Sequence, residues 1–199
     1  MFELRNLNAI SINPLNPQQV FVSSFHDGML EINDGIATQK FDETNSGLES
    51  LFLPSSPTYR SLRLSGTTFD DNGILWSLTG LIEKPLKAYD PSSNAWRSFD
   101  FTELIPNALT ELLFTPSGDI FIASFSYGVI GFRLNGSNQI FKNVDAENGN
   151  LPDKSVRAIA LDKNGQLWIG TDTGLRVLYN TSRFFDDEDL TTDEIVILD

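Results

Sequence analysis

Residues 162–178 read DKNGQLWIGTDTGLRVL. Asn164-Gly165 and the Asp172–Gly174 segment are tight-turn signals, because Asn, Asp and Gly supply the backbone angles a short hairpin needs. Between and after them lie LWIG and LRVL, apolar runs too short for a helix and suited to strands. The stretch is therefore a hairpin. A lone hairpin is marginal in water, so its packing partner has to be found elsewhere in the chain.

The partner is a repeat. Trp168 follows Gly165 by three positions, and the same arrangement recurs as DDNGILWSL (Gly73, Trp76) and TPSGDIFIAS (Gly118, Phe121). A longer, Pro-rich version is NPLNPQQVFVSSF, with Phe21. Each aromatic is preceded by a short apolar strand: NAISI, SGTTF, ELLF and RAIAL. In three copies a small-residue turn and a Gly follow (SSFHDGMLEI, ASFSYGVIGF, GTDTGLRVL), and in the second copy the longer TGLIEKPLKAY. Fourth strands are expected at ATQKF, AWRSF, NQIFKN and SRFF. Four short strands at a period of about 45 residues are the sequence form of a β-propeller blade. A sandwich also has many short strands but does not explain self-similarity at this period.

The expected fold is thus all-β: a β-propeller of about four four-stranded blades, covering 4–50, 59–104, 108–149 and 151–190. A further blade is expected to begin at 191–199, where IVILD aligns with AIALD. This reads as a partial propeller cut from a longer array. A small closed ring is the alternative, and open blade edges would be covered by a second copy of the chain, a homodimer. Phe21, Trp76, Phe121 and Trp168 are expected between sheets as core. Gly128 and Gly174 are expected to open strands where a side chain would crowd.

Composition agrees and excludes several functions. The 199 residues are 40% hydrophobic and 11% aromatic, with fifteen Phe and three Trp against two Met. Twenty-seven acidic against fourteen basic residues give a net charge of −13, a field that repels nucleic acid and anionic membranes. The absence of cysteine excludes disulfides, thiolate metal sites and a Cys nucleophile. No signal peptide is read in MFELRNLNAISINP, and no apolar run approaches the roughly 18 residues of a membrane span.

The residues then resemble a known family. ENGNLPDKSVRAIALDKNGQLWIGTDTGLRVL is similar to the two-component regulator propeller repeat: a Leu-Pro entry, a V-x-x-I strand, D-x-x-G-x-L-W-I-G-T and then G-L. Leu151, Pro152, Val156, Ile159, Asp162, Gly165, Leu167, Trp168, Ile169, Gly170, Thr171, Gly174 and Leu175 hold those positions. VFVSSFHDGMLEIND, FDETNSGLES, EKPLKAYDPSSNAWRSF and GLRVLYNTSRFF resemble the PorZ-like propeller proteins of Bacteroidetes. The resemblance implies an exported, periplasmic or cell-surface propeller from a sensor or from secretion machinery. It also implies recognition of a glycan or protein partner.

Chemistry-bearing motifs are few. DDNG (70–73) and DKNG (162–165) lack the alternating ligands and closing Glu of a calcium loop, so their carboxylates are expected to bond their own backbone. The acidic run at Asp186, Asp187, Glu188 and Asp189 reads as a solvated loop. No metal or cofactor is expected. His26 is the sole histidine, and no nucleophile-elbow, zincin or phosphate-loop motif is present. No catalytic residue is assigned. The alternative function is a propeller lyase or hydrolase using His26 or a carboxylate pair. Binding is the reading preferred. Turns between second and third strands gather on one face of a propeller and would present Phe25 and His26, Glu83 and Lys84, Ser126 and Tyr127, and Asp172 and Thr173. Tyr59, Arg60 and Arg157 are expected nearby.

Overall fold

Strand formation follows the alternation along each apolar run. A computed structural model describes residues 3–101, 109–188 and 190–195 of the chain. The chain divides into two compact units, Met1–Pro106 and Asn107–Asp199. In the first, β1 (Leu7–Asn13), β2 (Asn16–Ser24), β3 (Gly28–Asn33) and β4 (Ile36–Phe41) form one antiparallel sheet in chain order. β5 (Leu64–Phe69), β6 (Leu75–Thr79), β7 (Leu86–Asp90) and β8 (Ala95–Phe99) form the next. The second unit repeats the plan with β9 (Leu109–Phe114), β10 (Ile120–Ser124), β11 (Val129–Asn135) and β12 (Asn138–Val144). Its other sheet is β13 (Val156–Leu161), β14 (Leu167–Thr171), β15 (Leu175–Leu178) and β16 (Asp193–Glu194). Each sheet is a propeller blade, so the protein is all-β with four blades.

Within the first unit, Phe21 points from β2 onto the second blade. Its ring lies 5.8 Å from Phe69 and 5.9 Å from Tyr89, in edge contacts, with Phe41 at 6.0 Å. Leu62, Leu64 and Leu75 complete that core. In the second unit Phe121 plays the same part, 4.8 Å from Phe184, among Val156, Leu167 and Ile169. Burying one such ring stabilises by about 2–3 kcal/mol.

The turn that precedes each Trp is held by an aspartate. Asp70 accepts from the backbone N–H of Asn72 and Ile74 and from the Trp76 indole, at 2.9, 2.9 and 3.0 Å. Asp162 does the same for Asn164, Gln166 and Trp168, at 2.8, 3.0 and 3.3 Å. The D-x-x-G-x-L-W spacing is therefore a hydrogen-bonding unit that ties the turn to the ring two strand residues later. At Gly128 (φ 69°) an added Cβ would lie 2.1 Å from the Val144 carbonyl, so the strand opening there requires glycine.

Three expectations need correction. SRFF is not the fourth strand of the last blade: Thr181–Arg183 form a 3-10 turn, and β16 closes the sheet by pairing with Arg176 and Val177. The turn instead drives Phe184 into the interior over Gly131 of β11, where a Cβ would stand 2.2 Å from the ring. Within 191–199, where a further blade is expected to begin, Asp193 and Glu194 belong to the preceding sheet. Of the expected IVILD strand, Ile195 is assigned to no strand and 196–199 lie outside the described residues, as does the expected boundary between the second and third blades at 104–108. Trp168 is half-buried, unlike Phe21, Trp76 and Phe121; it projects from the face of β14 opposite Leu167 and Ile169, which fill the core. Gly174 is not crowded, its nearest neighbour being Pro152 Cγ at 3.5 Å.

Candidate functional site

A hydroxyl at the end of each second strand builds the turn that follows. Ser24 Oγ accepts from the backbone N–H of His26 (3.3 Å) and Asp27 (3.0 Å). Ser124 Oγ accepts from Ser126 and Tyr127, both at 3.2 Å, and Thr171 Oγ1 from Thr173 (3.3 Å) and Gly174 (3.0 Å). Such side-chain turns free the next residue to project without disturbing the sheet. That next residue is Phe25, Gly80, Phe125 or Asp172 in the four blades. Register fixes the equivalence: Ser24, Thr79, Ser124 and Thr171 pair with Leu7, Leu64, Leu109 and Val156 of the neighbouring first strands.

In the first unit, Phe25 meets the His26 ring edge-on at 4.9 Å, and the Arg63 guanidinium lies 5.5 Å from the Phe25 centroid. His26 Nδ1 is 2.7 Å from Ser61 Oγ. Ser61 has no exposed surface and is held by Ser50 and Leu51, so its hydroxyl orients the imidazole and cannot reach a substrate. The Asp27 carboxylate accepts from the Arg5 backbone at 2.8 Å rather than facing the imidazole. The arrangement is a clamp between loop and turn, strengthened by Leu62 N–H donating to the His26 carbonyl.

Other residues expected here sit apart. The Arg60 guanidinium donates to the Pro57 and Tyr59 carbonyls and pairs with Glu43 at 3.6 Å, so Tyr59 and Arg60 organise their own loop. Glu83 and Lys84 are exposed on the β6–β7 loop. Below that loop Lys87, with no exposed surface, donates to Glu49 and to Ser98 Oγ. Burial pushes its ammonium below the ordinary lysine value, and the Glu49 carboxylate partly restores it.

In the second unit, Arg157 bonds Asp172 through two parallel contacts of 2.5 and 2.8 Å, and its guanidinium carbon lies 4.3 Å from the Phe125 centroid. The pair holds the Asp172 carboxyl below the usual carboxylate range and raises Arg157. Both side chains are about half exposed, so the pair orients more than it stabilises. Ser126 and Tyr127 follow Phe125 in the turn, and the Ser126 hydroxyl is buried without a protein partner. Thr173 is exposed beside Asp172.

Sequence reasoning missed Phe125, Ser61 and Arg63. Phe125 had a signal: it stands four residues beyond Phe121, as Phe25 stands beyond Phe21. Ser61 and Arg63 arrive from a loop without periodicity, and only the folded chain places them.

Residues 150–173 match the two component regulator propeller model. The fold is PorZ-like. PorZ, a surface component of the type-IX secretion system of Porphyromonas gingivalis, superposes with a TM-score of 0.81 at 22% identity. The match covers 93% of this chain and 26% of PorZ. The extracellular domain of a hybrid two component system of B. thetaiotaomicron gives 0.68 at 19% identity, over 92% of this chain and 23% of that one. Virginiamycin B lyase of Staphylococcus aureus gives 0.66 at 13%, over 99% and 59%. The chain therefore spans about a quarter of the first two proteins. No curated protein matches it by sequence. No described helix is long and apolar enough to cross a membrane.

Proposed function

We propose that this PorZ-like segment is a non-enzymatic recognition module of an exported bacterial protein, binding a glycan through its second-to-third-strand turns. The observation that carries the reading is the recurring arginine over a turn phenylalanine, Arg63 on Phe25 and Arg157 on Phe125. Flat aromatic faces receive the C–H face of a pyranose, and guanidinium forks donate to its oxygens. Placement of the fold among surface and extracellular domains supports an exported setting.

A lyase or hydrolase reading is weaker. His26 is engaged with a hydroxyl that no substrate reaches. The test is a panel of neutral and acidic oligosaccharides immobilised on a surface and probed with the purified chain. Retention that falls in Phe25→Ala and Phe125→Ala supports the reading. Turnover of any panel member, abolished by His26→Ala, would replace it with the enzymatic one.

A further inference from the structure

The second blade departs from the fourth at the two positions that make the Arg157–Asp172 pair. Register places Ser65 where Arg157 stands and Gly80 where Asp172 stands. Backbone bonding confirms the equivalence: Gly80 N–H donates to the Arg63 carbonyl at 3.0 Å, and Asp172 N–H to the Ser155 carbonyl at 3.2 Å. The cation is nonetheless retained. Arg63, two register positions earlier, stacks over Phe25 as Arg157 stacks over Phe125. The carboxylate is not retained, and among the described residues no acid pairs with Arg63.

Two further observations converge on this loop end. Arg63 Nε and Ser65 Oγ are both buried without a hydrogen-bond partner. Buried donors of this kind call for an acceptor. The backbone is also strained: Arg63 (φ 50°) and Leu81 (φ 62°) hold left-handed angles. The other non-glycine residues in that region are Asn or Asp, which adopt it readily. The first blade fills the Arg63 position with Asn6 (φ 54°), whose backbone oxygen accepts from Phe25 N–H in the same way. An arginine kept where asparagine fits better indicates a role for the guanidinium itself.

We propose that the loop end of the second blade is a carboxylate subsite, in which Arg63 takes the carboxylate of a hexuronate where the fourth blade supplies Asp172. Phe25 offers the sugar ring an apolar face, and Gly80 brings no carboxylate of its own to the guanidinium. This rests on the glycan reading above and specifies its ligand class. In a chain of net charge −13 such a site also selects strongly, because an anion is admitted only where a cation lacks a partner.

The experiment follows the Arg63 Nε–H resonance by ¹H–¹⁵N correlation during millimolar titrations with glucuronate, glucose and N-acetylglutamate. Glucuronate should shift the resonance with saturation. Glucose should bind roughly tenfold more weakly or worse, the worth of one charge-assisted contact. Arg63→Gln should weaken glucuronate binding by a similar factor, read on neighbouring amides. Circular dichroism of Arg63→Gln should confirm an unchanged fold. Glucuronate binding that survives Arg63→Gln overturns the subsite. So does a retained neutral oligosaccharide with no response to glucuronate, which leaves the glycan reading standing. Silence of the whole sugar panel overturns both, and N-acetylglutamate binding as tightly as glucuronate overturns the assignment to a sugar.

Discussion

Phe184 over Gly131 is a contact whose energetics are worked directly from geometry. A Cβ at Gly131 would lie 2.2 Å from one ring carbon of Phe184 and 2.7 Å from another, distances no side chain tolerates. Phe184 is fully buried, packed edge-on against Phe121 and fixed at the end of a short 3-10 turn, so it has little freedom to retreat. Gly131→Ala in the natural chain is therefore overpacking and should cost about 1–3 kcal/mol. Phe184→Ala empties the same space and should cost about 3–5 kcal/mol. In the double variant the new methyl enters the emptied volume, and alanine is a better strand residue than glycine by roughly 0.5–1 kcal/mol. The double variant should then be no less stable than Phe184→Ala alone, a coupling of about 2 kcal/mol against additivity. Urea unfolding followed by Trp168 fluorescence, with Trp76 and Trp96 replaced by Phe in every protein compared, reports on Asn107–Asp199, the unit that holds both residues. Costs that add within about 0.5 kcal/mol would refute the placement of Phe184 and return SRFF to some other role.

Two further outcomes test the polar interior. Glu49→Ala strands the buried Lys87 ammonium and should cost about 1–3 kcal/mol, less than for a fully buried pair because Glu49 is half exposed; Lys87→Met should be neutral or stabilising. Since folding depresses Lys87, protonation favours the unfolded chain: the penalty is full below the folded value and fades as pH climbs toward 10.5. Urea midpoints at neutral and alkaline pH should therefore converge between Glu49→Ala and Lys87→Met, and a gap that does not narrow would contradict the burial. Asp162→Asn should lower the midpoint of the natural chain at neutral pH. The Asp162 carboxyl is held below 3.8, chiefly by the Gln166 N–H, so its stabilisation is complete above 3.8 and lost as pH falls through the folded value. The difference between the two proteins should shrink on acidification, and a constant difference would point to a steric effect.

How much the sequence conveys depends on whether a residue works within its own hairpin. Asp162, Gly165 and Trp168 are legible because carboxylate, turn and indole bond one another within seven positions. Fourth-strand assignment succeeded for AWRSF and NQIFKN and failed for SRFF, where aromatic content imitates a strand. The residues that do close that sheet, Asp193 and Glu194, carry no strand propensity and are recruited by pairing with Arg176 and Val177. Trp168 was expected to be buried because its motif matches the other anchors. Motif identity fixes the face on which a side chain projects, while burial depends on what lies beyond that face.

The same distinction separates the residues that build these turns from the residues they display. Position 24, 79, 124 or 171 is always Ser or Thr, because the turn needs a hydroxyl there whatever it presents. The following position is Phe, Gly, Phe or Asp, with no common chemistry. A scaffold that holds one atom constant and varies its neighbour is arranged for display, as loops on rigid sheets usually are. Four blades of one chain thereby act as controls for each other. Asp172 shows what satisfies an arginine at this end of a blade, and Gly80 marks the blade where that acceptor is missing and the arginine is kept.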